Sequence, residues 1–137
     1  MRYWIVVVSK DHIMRGVAGG FMQANHGKPG PLKRMSVNDW VICYSSKKTF
    51  GSDEPLQAFT AIGQAVDNEV YQFLVNDDFK PFRRNIKYYP CIETPIAPLI
   101  VDLNFITNKK SWGYQFRFGF FEIPEHDFNL IKSKMLA

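Results

Sequence analysis

Acidic side chains are in deficit in this chain of 137 residues: 13 Asp and Glu face 17 Lys and Arg, a formal charge of +4. That balance suits a phosphate-bearing partner and equally serves solubility alone. Cysteine is scarcer. Cys43 and Cys91 are the only two, far apart and outside any Cys-x-x-Cys or Cys/His ligand spacing. Both read as reduced structural residues, which suits a cytoplasmic chain. No apolar run approaches the roughly 20 residues that a membrane-spanning helix needs. The start, Met1–Val8, lacks the basic segment and cleavage site of a secretory leader. The signatures His-Glu-x-x-His, Gly-x-Ser-x-Gly, the zinc-deaminase pattern, Gly-x4-Gly-Lys-Ser/Thr and Gly-x-Gly-x-x-Gly are all missing. Repeats, linkers and low-complexity tracts are missing too. The length is that of one domain, so residues 1–137 read as a single unit.

What remains is aromatic and locally rich in glycine. Hydrophobic residues make up 46% and aromatics 15% of the chain, with 12 Phe, 6 Tyr and 3 Trp. That is enough to fill a core and to leave rings as stacking walls for flat ligands. Residues 3–8, 40–45 and 56–66 read as buried strands, and 70–75, 85–89 and 116–122 as further strands. A short helix is expected over 12–16, capped by Ser9 or Asp11. One helical turn is expected at 32–36 and another at 99–103. A terminal helix follows Pro124 and buries Phe128, Ile131 and Met135. Gly63 inside the third strand marks a bulge or a close approach. The order of elements gives an α+β class, a barrel-like sheet with short helices at its ends.

Nothing in the pattern demands catalysis. His12 beside Asp11, His26 and His126 are the only histidines, and Asp77-Asp78 is an acidic pair in a turn. No convergent metal ligands are visible, so neither metal nor cofactor is expected and the chain reads as a non-enzyme. The segment 16–31 is different: long, irregular and dense in Gly and Pro. Such loops are usually functional. Its glycines allow close backbone approach to a ligand. Phe21, Tyr44, Trp112 and Phe118 are candidates to sandwich a planar ring. Lys28, Lys33, Arg34, Lys47, Lys48, Arg83 and Arg84 are candidates to hold phosphates beside it. Arg83 and Arg84 point to opposite faces of a strand, so one of them is expected to line the core.

Several stretches carry a resemblance across nearly the whole chain. They include Tyr3-Trp4-Ile5, Gly19-Gly20-Phe21 with Gln23, Asn25-His26-Gly27-Lys28, Asp39-Trp40-Val41-Ile42, Phe82-Arg83-Arg84, Trp112-Gly113-Tyr114 and Arg117-Phe118-Gly119. In these the chain resembles the EVE domain family (UPF0310) within the PUA-like superfamily, relatives of the YTH domains. The resemblance implies a PUA-like pseudo-barrel of five to six mostly antiparallel strands with short peripheral helices. It also implies a nucleic-acid-binding module, a reader of a modified base in DNA or RNA. The pocket residues it implies are Gly19, Gly20, Phe21, Gln23, Asn25, His26, Tyr44, Ser45, Trp112, Arg117 and Phe118, with Lys28 nearby. Phe21 stands where YTH readers carry a loop tryptophan. Three alternatives stay open: a general RNA binder, a pocket for a free nucleobase-like molecule, and a nucleotide hydrolase using Asp11, His12 and His26.

Overall fold

A computed structural model describes all 137 residues. Next to one edge of its sheet is β1 (Tyr3–Val7), which pairs in parallel with β3 (Trp40–Lys47) and antiparallel with the edge strand β7 (Phe120–Ile123). A parallel pair needs a crossover, and α1 (Lys10–Gly19) with the loop behind it supplies one. Outward from β3 follow β4 (Pro55–Gln72), β5 (Phe82–Tyr88) and the two-residue β2 (Phe21–Met22), all antiparallel. β6 (Thr94–Pro95) pairs on β4 beside this path, and α2 (Glu125–Met135) closes the chain. The strand order is β2-β5-β4-β3-β1-β7.

The α+β class, the mostly antiparallel pairing and the short peripheral helices agree with the sequence. The sheet has seven strands instead of five or six, and it stays open, with β2 and β7 at its edges. The two-residue strands β2 and β6 are too short for alternation to register.

Alternation along each strand divides the core between the two faces of the sheet. Ile5, Ile42, Tyr44, Phe59, Ile62, Phe121 and Ile123 look to one side, where Phe128, Ile131 and Met135 of α2 cover them together with Leu99 and Phe116. Trp4, Val6, Val41, Cys43, Ala61, Ile86 and Phe120 look to the other, under Ile13 of α1, Met22, Ala24, Leu32 and Met35. Strands covered on both faces need apolar residues at every position. That is why Trp4-Ile5-Val6 and Val41-Ile42-Cys43-Tyr44 read as unbroken runs.

Three local departures from the sequence reading bear on the site. The helix runs Lys10–Gly19, longer than 12–16, and stops where Gly20 turns left-handed at φ 73°. Residues 70–75 are no separate strand: 70–72 are the end of β4, which shifts register between Ala65 and Val70. Residues 116–118 belong to a 3₁₀ segment, Trp112–Phe118, and the strand begins only at Phe120. Gly119, at φ 74°, separates the two. Gly63 makes the expected close approach, since a Cβ there would stand 2.6 Å from the Lys87 carbonyl oxygen. No helix is long and apolar enough to cross a membrane.

Candidate functional site

Two chain segments meet at the C-terminal end of β1. The Val7 N–H donates to the Gly119 carbonyl at 2.8 Å, which brings the 112–119 segment beside the loop after β2. In that loop Asn25, His26 and Gly27 have φ of 46°, 60° and 82°, three left-handed residues in succession. Glycine accepts this conformation and Asn tolerates it, but at His26 it costs about 1–2 kcal/mol. Strain of this kind persists only where the surroundings enforce it. Two contacts do so. Gly27 lies on Pro81, where a Cβ would come within 2.9 Å of the Pro81 Cα. The Asn25 side-chain oxygen lies where a Cβ on Gly119 would be. Asn25 and His26 are thus fixed with exposed side chains, Asn25 against Gly119, which follows the exposed Arg117 and Phe118 in the chain. Phe118 and Tyr114 are 56% and 58% exposed. They meet edge to face at 5.9 Å, and the Arg117 guanidinium lies 5.4 Å from the Tyr114 ring centre.

A second cluster lies on β5 and β2. The Phe21 ring sits over Gly19, where a Cβ would be 2.6 Å from the ring. The Arg83 guanidinium lies 3.7 Å from the Phe21 ring centre and 4.0 Å from that of Phe73. Its Nε–H donates to Gln23 Oε1 at 2.7 Å. Partial burial pulls the Arg83 pKa below the ordinary arginine value, against an opposing influence from Tyr71. Phe21 is therefore already paired with a cation.

Other sequence candidates lie elsewhere. Tyr44 is 2% exposed, stacked at 3.9 Å on Phe116, and burial pushes its hydroxyl up to about 12. Ser45 is fully buried, donates to the Val8 carbonyl at 2.7 Å and lies 2.8 Å from the Thr60 hydroxyl. Both are core residues and line no open surface. Arg84, expected among the phosphate contacts, is 1% exposed. It donates to the carbonyls of Leu32 at 2.8 Å, Met35 at 2.6 Å and Asp67, pinning the 32–35 turn to the bend of β4. Gly20 serves to end α1. Trp112 packs at 6.3 Å against Phe116 on the α2 face. Phe21 lies on the edge strand β2 and lines no cleft with Trp112. Lys28, Lys33 and Lys48 are exposed and Lys47 is half-buried. Arg34 lies 4.9 Å from the ring centre of Trp4, about 10 Å down β1 from Val7 at the usual rise per residue.

Trp112 borders an open cleft of about 320 Å³, together with Phe105, Thr107, Asn108, Tyr114 and Gln115. None of residues 19–28 lines it. Phe73, Phe105, Tyr114 and Gln115 were not among the site candidates read from the sequence. For the three aromatics the one signal was aromatic density, which cannot separate core rings from surface rings, and Gln115 carried none. Among the histidines, His12 stacks on Phe50 at 4.9 Å and lies 3.9 Å from Asp11, whose carboxylate accepts from Ser9 Oγ at 2.6 Å and from the Phe50 N–H at 3.1 Å. No hydrogen bond joins His26 to either. No group of three or more His, Cys, Asp and Glu side chains is gathered as a metal site.

The family model described as EVE domain matches residues 2–134. A UPF0310 protein of Mycolicibacterium vanbaalenii is 55% identical over 137 residues, covering 100% of this chain and 94% of that protein. One from Mycolicibacterium gilvum is 53% identical over 135 residues, covering 98% and 96%. Rpa0253 from Rhodopseudomonas palustris, solved by NMR, has the same fold, with a TM-score of 0.59 and 14% identity over 98% of this chain and 92% of that one.

Proposed function

The chain belongs to the EVE domain family, and from that premise we propose that it is a nucleic-acid-binding module that reads a modified base at the rim where the Asn25–His26 loop packs on Gly119, the end of the segment that carries Arg117 and Phe118. The carrying observation is the left-handed run at Asn25, His26 and Gly27. A chain that only needed to turn there would place glycine or a relaxed turn. This one holds two exposed polar side chains in a strained backbone, beside exposed rings. The Asn25 amide offers both donor and acceptor to a base edge, and Phe118 and Tyr114 offer stacking faces. Lys28, Lys33, Lys47, Lys48, Arg34 and Arg117 supply positive charge for the backbone of the strand.

Extruding a base costs a few kcal/mol. Stacking on an exposed ring returns about 1–3 kcal/mol, and each buried methyl carbon adds about 0.8 kcal/mol. Those magnitudes make a single ring plus edge contacts sufficient to hold the base, and leave discrimination to the fit around the modification. The test is titration against oligonucleotides that differ only in one modified base. A preference that Asn25→Ala and Phe118→Ala each weaken supports the reading, and equal affinity for both oligonucleotides, or none, rejects it. A second reading, a pocket for a free nucleobase-like molecule, is favoured by the cleft beside Trp112, whose volume of about 320 Å³ falls in the range of small-molecule sites. Thermal stabilisation by nucleosides without any binding of oligonucleotides would select it.

A further inference from the structure

Arg83 and Arg84 are neighbours on β5 with opposite fates. The Arg84 guanidinium is buried and spends both terminal nitrogens on backbone carbonyls. Arg83 faces the other way and spends only Nε, on Gln23. Its two terminal nitrogens have no partner in the protein, and neither is buried. No carboxylate lies within ion-pair distance of it, since the salt bridges of the molecule involve Arg2, Lys10, Lys47, His12 and His126. A half-buried guanidinium without a counter-ion, flattened between the rings of Phe21 and Phe73, is a poor structural tie. Holding the hairpin onto the loop would need only an apolar side chain between the two rings.

We propose that Arg83 is a preset oxyanion fork. Phe21 and Phe73 fix the plane of the guanidinium, Gln23 fixes its rotation, and the free edge binds one backbone phosphate of the nucleic-acid strand through two parallel hydrogen bonds. The fork geometry matches two phosphate oxygens, and pre-ordering removes much of the entropy cost that a free arginine incurs. Two lysines flank the fork, and the carboxylate on its strand face, that of Asp67, is engaged at 3.5 Å by the Asn85 amide. Lys28 and Lys80 each adjoin the contact between Gly27 and Pro81, and both are exposed. Asp77 and Asp78 lie at the far turn of the β4–β5 hairpin, five and more residues away, about 15 Å along an extended strand. Gln23 is two residues from Asn25, so the anchored phosphate would be one flanking the base at the rim. The strand as ligand rests on the nucleic-acid reading above; the fork itself does not.

The fork is tested in wild-type protein by following the Arg83 side-chain N–H signals by NMR during titration with inorganic phosphate, and with an unmodified oligonucleotide. It is tested in variants by the salt dependence of oligonucleotide binding. Saturable shifts of the Arg83 signals are expected with both ligands. Arg83→Lys, which keeps the charge but loses the fork, should lower oligonucleotide affinity about tenfold. Arg83→Gln should reduce the salt slope by about one, and Phe73→Ala should weaken binding while leaving the slope unchanged. Shifts with phosphate in a protein that binds no oligonucleotide support the fork and reject the nucleic-acid reading. Oligonucleotide binding with silent Arg83 signals, and with wild-type affinity and slope in Arg83→Lys and Arg83→Gln, overturns the fork and leaves that reading intact.

Discussion

Single side chains set the stability of this molecule at a few buried polar points, and Asp39 is the clearest. It is 2% exposed. Its carboxylate accepts from the Arg2 N–H at 2.9 Å, the Trp4 indole at 3.0 Å and the Ser36 N–H at 2.9 Å. Burial opposes its ionisation, but those three donors prevail and hold its pKa below the ordinary carboxylate value. A group with a depressed folded pKa contributes stability above the unfolded value and loses it as pH falls through the folded one. Asp39→Asn should therefore cost about 1–3 kcal/mol at neutral pH. Urea titrations should show the gap to wild type closing below about pH 4, the ordinary aspartate range. The thiols give a second expectation. Burial pushes Cys43 up to about 11 and raises Cys91 less, since Cys91 is only half-buried. A thiol-specific reagent at pH 8 should modify Cys91 slowly and Cys43 only when the protein unfolds.

Elements decide which of these side chains become available. The 24–27 loop is held by contacts at both ends, Gly27 on Pro81 and Asn25 on Gly119, so its shape depends on the β4–β5 hairpin and on the break before β7. Gly27→Ala meets both a left-handed backbone and the Pro81 ring. It should destabilise by about 2 kcal/mol and, because it shifts Asn25 and His26, should weaken oligonucleotide binding more than its stability loss explains. Melting temperature and binding measured on the same preparation separate the two effects. A substitution at exposed Gly30, where a Cβ meets nothing within 4 Å, is the control and should change neither.

At the level of the whole molecule, the sheet acts as a partition. It separates the core under α2, with Tyr44 and Phe116, from the core under α1, with Met22 and the carbonyls that hold Arg84. The net charge of +4 acts over longer distances than these contacts. Oligonucleotide binding should weaken steeply as salt rises from 50 to 200 mM, with a slope that counts the phosphates neutralised. A flat salt response would mean that binding, if present, involves no strand backbone. Core truncation acts globally as well: Ile62→Ala, at a fully buried position, should cost about 2–5 kcal/mol without changing the salt slope.

The α+β class, the long central strands and the apolar face of α2 were legible in the residues, because periodicity and turn chemistry are local. Four placements were not. Tyr44, Ser45 and Arg84 have the residue types of a binding site but lie in the core, and Phe73 has the type of a core residue but clamps Arg83 at the surface. Burial is a property of what packs against a side chain from distant parts of the chain. The sequence by itself therefore determined the long strands and the terminal helix, whose patterns are local, while the two-residue strands β2 and β6 and the full length of α1 depended on their partners. Only the fold decided which arginine faces water, since that depends on the carbonyls of Leu32, Met35 and Asp67 converging on one side of β5 and two phenyl rings on the other.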